Sequence, residues 1–375
     1  MTETVYIIGA GIGGLTTALT LKQRGLKVTI FESAAEIKPV GAGIILASNA
    51  MQVYRKLGLQ EKIESAGNRI SSMNITDAQL NSISGTDLTG FEKKYGVHHV
   101  AIHRGALQEI LANETGYDHI NLSKRLTKVE KSNLFKLTFE DHSTAECTFL
   151  IGADGLNSAV RKQLFEKSTI RSANQICWRG ICEVALPEKY HHEAIEAWGK
   201  GKRFGFVKMS DTKVYWYALG DSDRIVANDI NLTEFFGEFH RDVLNIISAT
   251  PREQIFVSEI KDLKPIQKWQ NGNACLIGDA AHATTPNLGQ GACQAIEDAY
   301  VLGKLLDEGV DLGTAFKECE VRRRKKVDMI VKTSWMLGKA THWRNPFLVW
   351  VRNMSFKMTP KTVSEKQLDN IFKID

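Results

Sequence analysis

The six cysteines, at 147, 177, 182, 275, 293 and 319, include no CxxC pair, so the sequence offers no disulfide or zinc framework. Several sit in apolar runs, as buried thiols of a reducing cytoplasm do. No stretch reaches the ~18 consecutive apolar residues that a membrane span requires. The N-terminus, MTETVYIIGAG, enters a strand without the basic segment and apolar core of a signal peptide. A cytoplasmic protein with no integral membrane segment is expected. Charge of one sign is scarce as well. The 48 basic and 43 acidic residues leave a net charge of +5, enough to steer small anions but no basis for nucleic-acid binding. The most basic run, RRRKK at 322–326, lies in a helical pattern and reads as a solvated face. With 43% hydrophobic residues in 375, disorder is excluded, and one large domain or two interlocked ones can form.

The first fifty residues carry the clearest pattern. TVYIIGA is a short apolar strand, GGLTTALTLKQRG has helical spacing and stops at Gly25, and KVTIFE is a second strand. The turn of this βαβ unit holds Gly9, Gly11 and Gly14 in a GxGxxG arrangement, with Glu32 closing the second strand. Gly9 permits the tight turn, Gly11 lets backbone approach a pyrophosphate, and Gly14 lets the helix pack close to the sheet. The helix N-terminus then faces the phosphates, and Glu32 can accept hydrogen bonds from a ribose diol. An acid at that position suits FAD or NAD rather than a 2′-phosphate. CTFLIGADGLNSAVR at 147–161 repeats the theme of a strand running into Gly152 and Asp154-Gly155, and LIGDAAHATTPNLGQGACQAIEDA at 276–299 gives it a third time. Three strands with glycine at their carboxyl ends present loops to a long cofactor from one crevice.

GxGxxG, ADGLNSAVR and GDAAHATTPNLGQGACQAIEDA together resemble the FAD-dependent aromatic hydroxylases, single-component flavoprotein monooxygenases typified by p-hydroxybenzoate, salicylate and urate hydroxylases. The resemblance covers roughly residues 3 to 330. It implies an α/β fold: a Rossmann-like FAD-binding domain with a parallel sheet, interleaved with a mixed, largely antiparallel substrate sheet and followed by a C-terminal helical tail. The expected division is 1–70, 101–170 and 266–330 for FAD binding, 71–100 and 171–265 for the substrate sheet, and 331–375 for the tail. The implied cofactor residues are Gly9, Ala10, Gly11, Gly14, Glu32, Leu126, Arg104 at the phosphates, and Asp154 beside FAD and the NAD(P)H path. Asp279 is implied at the ribityl chain, with Pro286, Gly289, Gly291 and Ala292 against the isoalloxazine ring. Arg104 also reads as a solvated helix-start arginine, and Asp154 as a helix N-cap. Glycines at 289 and 291 let main-chain N–H groups reach the flavin edge, and the helix that follows turns its positive end toward a reduced, anionic flavin.

A second GxGxxG is absent, which fits a transiently bound NADH or NADPH. The family's chemistry is hydride transfer to FAD, addition of O2 to give a C4a-hydroperoxide, and oxygen transfer to an electron-rich ring. It needs neither metal nor nucleophilic triad, and His282 reads as support for the flavin loop rather than a metal ligand. The middle segment, QICWRGICEV, GKRFGFVKM and KVYWYALG, alternates like antiparallel strands, with Tyr215 and Tyr217 on one face and Val214, Trp216 and Ala218 on the other. The Arg203 to Tyr215 spacing resembles the substrate arginine and tyrosine of the urate branch, a pair that would bind and help deprotonate an acidic heteroaromatic; Tyr215 also reads as an ordinary core aromatic. Lys208 stands where many relatives carry Pro, and Asn287 where the urate branch prefers Asp. The loop 39–50 reads as a further pocket wall. The aromatic and basic stretch 334–358 reads either as a membrane-docking helix pair or as a tail packed on the FAD domain. The function implied is monooxygenation of an aromatic or heteroaromatic small molecule by a monomer or homodimer. A reductase or dehydrogenase of the same fold, a tetracycline-inactivating monooxygenase and a flavin-binding protein without turnover are the alternatives.

Overall fold

The first strand, Thr4–Ile8, has parallel neighbours on both sides, Lys27–Phe31 and Phe149–Gly152, which explains why it carries apolar residues without alternation. The computed structural model describes residues 4–37, 42–224 and 230–374. Phe149–Gly152 pairs in parallel with Ala274–Leu276, and the six-stranded sheet is completed by Ile120–Asn121 at one edge and Gln270–Asn271 at the other. The three strands that lead into Gly9, Ala153 and Gly278 are therefore immediate neighbours, and their carboxyl ends open side by side.

The helix Ile12–Lys22 lies between this sheet and the helix Gly291–Asp307 and is buried along most of its length. Its three threonines stay satisfied there because Thr16, Thr17 and Thr20 each donate to the carbonyl four residues back, at 2.7–2.8 Å. Small residues bring the two helices together: a Cβ on Gly13 would lie 3.0 Å from that of Ala295, and one on Gly278 would lie 2.8 Å from it.

A seven-stranded sheet takes its strands from 72–87 and 170–263, in the spatial order 256–263, 170–183, 213–221, 202–208, 193–198, 72–77, 82–87. All its pairings are antiparallel except Glu193–Trp198 with Ser72–Asp77. Val214, Trp216 and Ala218 point into a core with Phe204, Phe206 and Phe236, whereas Tyr215 and Tyr217 turn to the opposite face, as the alternation predicts. Two three-stranded sheets complete the fold, one of Gly43–Leu46, His99–His103 and Gly67–Ile70, the other a meander through 126–147.

Two sequence expectations need correction. RRRKK is not a solvated face: Arg323 is 0% exposed, and Lys326 reaches Glu297 at 2.7 Å. Arg323 lies on the inner side of the helix Leu312–Thr341 and is paired with Glu297 and Asp298 of the neighbouring helix, which compensate its buried charge. The tail does not lie on the FAD domain alone. The helix Pro346–Met358 packs on the strand Ser82–Asp87 and on Trp198 of the seven-stranded sheet, while Lys361–Phe372 returns to the main core through Phe372, set edge-on to Phe91 and His99. All six cysteines are free and buried.

Candidate active site

Gly9 has φ +104°, and a Cβ there would come within 2.5 Å of the Ala153 carbonyl oxygen; a Cβ on Gly14 would come within 2.0 Å of the Gly9 oxygen. Both positions are closed to larger residues by the protein's own backbone. Gly11 is different, since a Cβ there would meet nothing within 4 Å and would point into open space. Glu32 reaches back to this turn, accepting from the Ala10 N–H at 2.7 Å with one oxygen and from the Ala34 N–H at 2.8 Å with the other. Gln108 donates to the Ala10 carbonyl at 2.7 Å, which ties the helix Arg104–Thr115 to the same turn. The Leu126 side chain is buried in the core with Phe31 and Phe139, so only its backbone is available to a ligand.

Arg104 begins its helix with an exposed guanidinium that makes no hydrogen bond or ion pair with any described residue. A cation at the positive end of a helix is unfavourable unless an anion comes between them. Its charge reaches both Asp279 and Tyr215 and favours their charged forms. Asp154 accepts from the Ala159 and Val160 N–H groups at 2.6 and 3.2 Å through Oδ2, the first amides of a helix whose positional N-cap is Ser158. Its Oδ1 is buried without a partner, and burial pushes the carboxyl above its ordinary range. Asp279 also lacks a partner among the described residues; it stands open to the crevice, and the protein massed around it raises its carboxyl. Gly291 opens a 17-residue helix with no acid in its first turn and no side-chain cap, leaving its amides free, and the exposed Pro286 and Gly289 (φ +62°) lead into it. Ala292 follows, half-buried. A free anion site at each of two helix ends, an unpartnered Oδ1 on Asp154, an unpartnered Asp279 and an uncovered Gly11 fit a dinucleotide with a polar polyol chain.

This loop is clamped from behind. Asp298 accepts from the Gly278 N–H (3.0 Å), His282 Nε2 (2.7 Å) and Arg323 Nε (2.9 Å). Burial alone would raise Asp298, but His282 and Arg323 outweigh it and hold the carboxyl at about 2. His282 thus supports the loop, and no cluster of potential metal ligands occurs among the described residues.

On the seven-stranded sheet, Arg203 is 1% exposed. It donates to Glu196 at 3.2 Å and, across to the Pro286 loop, to Asn287 Oδ1 at 2.6 Å. Glu196, Gly205 and Tyr217 are cross-strand neighbours, and a Cβ on Gly205 would lie 2.2 Å from the Tyr217 ring. The missing side chain lets the phenol lie across Gly205 and hydrogen-bond Glu196. Burial first, then the Glu196 charge, pushes Tyr217 well above its ordinary range. Burial also raises Tyr215, whose ring packs against Gly43, where a Cβ would sit 2.4 Å away. The described part of the 39–50 loop thus borders Tyr215, while residues 39–41 lie outside the described residues. The sequence reading passed over Glu196, although an acid inside EAIEAW, in register with Gly205, was a legible signal.

Asn287 Nδ2 donates to Thr285 Oγ1 (2.9 Å) and the Ser334 carbonyl (2.8 Å), and Gly338 leaves room for it. An aspartate there would set an anion against a carbonyl oxygen, which accounts for the departure from the urate branch.

Comparison with known proteins gives the family. The family described as FAD binding domain matches residues 2–317. The chain is 36% identical to an aurachin C monooxygenase/isomerase of Stigmatella aurantiaca, over 95% of this chain and 94% of that protein. It is 32% identical to an FAD-dependent urate hydroxylase of Klebsiella oxytoca, over 87% of each. Among solved structures, Klebsiella pneumoniae HpxO complexed with FAD and uric acid superposes with a TM-score of 0.89 at 26% identity, covering 98% of this chain and 96% of that one. Crevice, clamp and sequence agree that the chain belongs to the FAD-dependent aromatic hydroxylases and is an FAD-dependent monooxygenase.

Proposed function

We propose that the enzyme uses NADH or NADPH and O2 to hydroxylate a neutral aromatic heterocycle, of the 2-alkyl-4-quinolone type, seated between the Tyr215 face of the substrate sheet and the Pro286 loop. The observation that carries the substrate class is the state of Arg203: Nη1 is paired with Glu196, which meets its charge, and Nη2 with Asn287, leaving only a buried Nε unpartnered, so it offers no uncompensated cation to an anionic ring. The relatives support this. A 2-heptyl-3-hydroxy-4(1H)-quinolone synthase of Pseudomonas aeruginosa is 29% identical over 98% of this chain and 97% of its own length.

Bound FAD supplies the acceptance of hydride from NAD(P)H and the activation of O2. The rest falls to the chain. Arg104 and Gly11 hold the phosphates, and Asp154 and Asp279 accept hydrogen bonds from the cofactor's hydroxyls. The free amides of the Gly291 helix would stabilise negative charge on a bound flavin ring. Tyr215, kept protonated by burial, donates a hydrogen bond to a substrate carbonyl and orients the ring. Glu196, Tyr217 and Trp198, whose Nε1 donates to Glu196 at 2.5 Å, close that side against water.

The test is substrate-stimulated oxidation of NADH and of NADPH with a 2-alkyl-4-quinolone, urate and salicylate. Stimulation by the quinolone with formation of a hydroxylated product is expected. Stimulation by urate or salicylate alone would return Arg203 to the role of an anion receptor, and flavin binding without oxidation of either donor by any ligand would leave a non-catalytic flavoprotein.

A further inference from the structure

The helix Pro346–Met358 is turned inside out. Its one fully buried side chain is Arg352, which stacks over the Trp198 ring at 5.0 Å and donates to the Thr341 carbonyl at 2.9 Å. Burial lowers the guanidinium to about 10, which marks how costly the inner position is. The outer arc instead carries Phe347, Trp350, Val351, Met354 and Met358, which share one face at the spacing of helical turns. Phe347, Trp350 and Met358 are 68%, 59% and 73% exposed, and the Phe347 and Trp350 rings are stacked at 6.1 Å. A surface helix ordinarily buries its apolar side, so an outward aromatic arc with an arginine underneath has its counterpart outside the chain.

The charge around the arc identifies that counterpart. Between Asp328 and Glu365 the sequence contains no acidic residue, while Lys332, Lys339, Lys357 and Lys361 are all exposed. Two further apolar residues of this acid-free segment are exposed, Met336 (62%) on the preceding helix between Lys332 and Lys339, and Trp343 in the turn that follows that helix. Of the acids nearby, Glu196 and Asp221 are taken by Arg203 and by Arg344 with His342, and exposed Asp87 at the end of the strand beneath interacts with Lys361, which leaves Lys332, Lys339 and Lys357 as the unopposed rim. Aromatic side chains that sink to headgroup depth within a rim of lysines are the composition of an interfacial helix on an anionic bilayer. No helix among the described residues is long and apolar enough to cross a membrane, so the contact is peripheral.

We propose that the Phe347–Met358 arc docks the enzyme onto the surface of an anionic lipid bilayer. The docked helix is one layer from the substrate side: Arg352 lies on Trp198, and Trp198 is bonded to Glu196 of the Arg203 cluster. A substrate dissolved in the bilayer would meet the enzyme at that edge. The surface itself does not depend on which substrate is turned over.

The test is co-sedimentation of the FAD-loaded full chain with vesicles of phosphatidylcholine alone or mixed with phosphatidylglycerol, without substrate. Binding to the anionic vesicles, weakened by salt, is expected. Phe347→Ser/Trp350→Ser should lower the partition coefficient about tenfold or more, and Lys339→Glu/Lys357→Glu should lower it through charge alone without touching the apolar arc. Both variants should keep their flavin content and basal NAD(P)H oxidation. Failure of the parent chain to sediment with anionic vesicles overturns the proposal. So does a concentration-dependent dimer, seen by light scattering, that Phe347→Ser/Trp350→Ser abolishes while vesicle binding is unchanged, because the arc would then belong to a second copy.

Discussion

Replacing Arg323 by Met removes a guanidinium with no solvent contact and leaves the acids of the Gly291 helix under-compensated. Glu297 keeps Lys326, but Asp298 is left with His282 and one backbone N–H. Loss of one partner from a buried ion pair costs about 3–5 kcal/mol, so the variant should lose that much unfolding free energy at pH 7. Asp298 gives an independent estimate. Its carboxyl is depressed from 3.8 to about 2, which corresponds to about 2.5 kcal/mol of stability at neutral pH. Because the folded value lies below the unfolded one, that stability is complete above about pH 4 and is lost as the pH falls toward 2. In Arg323→Met the depression largely disappears, the carboxylate protonates earlier, and the deficit relative to the parent should hold from pH 7 to about pH 4 and narrow as the pH falls from there toward 2. Urea titration followed by tryptophan fluorescence, with FAD saturating, reads both effects. A deficit below about 1 kcal/mol at pH 7, or one that does not narrow between pH 4 and pH 2, would refute this account of the clamp. Adding Asp298→Asn to Arg323→Met should recover part of the loss, since it removes the stranded charge.

Four further outcomes follow from the site geometry. Gly11→Val should leave the flavin-free fold intact, because its Cβ meets no protein atom, yet abolish FAD binding; purification with stoichiometric flavin would contradict the pyrophosphate placement. Asp279→Ala breaks no protein hydrogen bond, so FAD affinity should fall about tenfold with no loss of flavin-free thermal stability, and unchanged affinity measured by flavin fluorescence would remove it from the cofactor site. Gly205→Ala should cost about 1–3 kcal/mol by forcing Tyr217 off Glu196, seen as a lower urea midpoint. Glu196→Gln should free the charge of Arg203 and tighten the binding of salicylate relative to a neutral quinolone, measured by perturbation of the flavin spectrum; no change in that ratio would mean that Glu196 does not set ligand charge.

The cofactor-binding half was legible because its constraints are local. A glycine at φ +104°, a glycine beneath a carbonyl and an acid at a strand end each leave their mark within a few residues of sequence. Alternation likewise separated Tyr215 and Tyr217 from Val214, Trp216 and Ala218. What stayed hidden depends on partners far along the chain. Arg323 reads as one more solvated cation until Glu297 and Asp298 are brought against it by helix packing. Arg203 reads as an isolated cation until Glu196 and Asn287 are seen bonded to it. The tail helix misleads in the other direction, since its periodicity shows an apolar face without showing on which side of the molecule that face lies.

The crevice is assembled from turns at Gly9, Ala153 and Gly278, brought together by strands that are neighbours in space but more than a hundred residues apart in sequence. During synthesis the first turn is made long before its partners exist, and loop closure over such separations is slow. A nascent or truncated chain ending before the third strand therefore has no complete flavin site, however well its first βαβ unit has formed. Flavin acquisition becomes a late event that reports completion of the whole domain, and the yellow colour of a preparation counts finished molecules rather than folded N-termini.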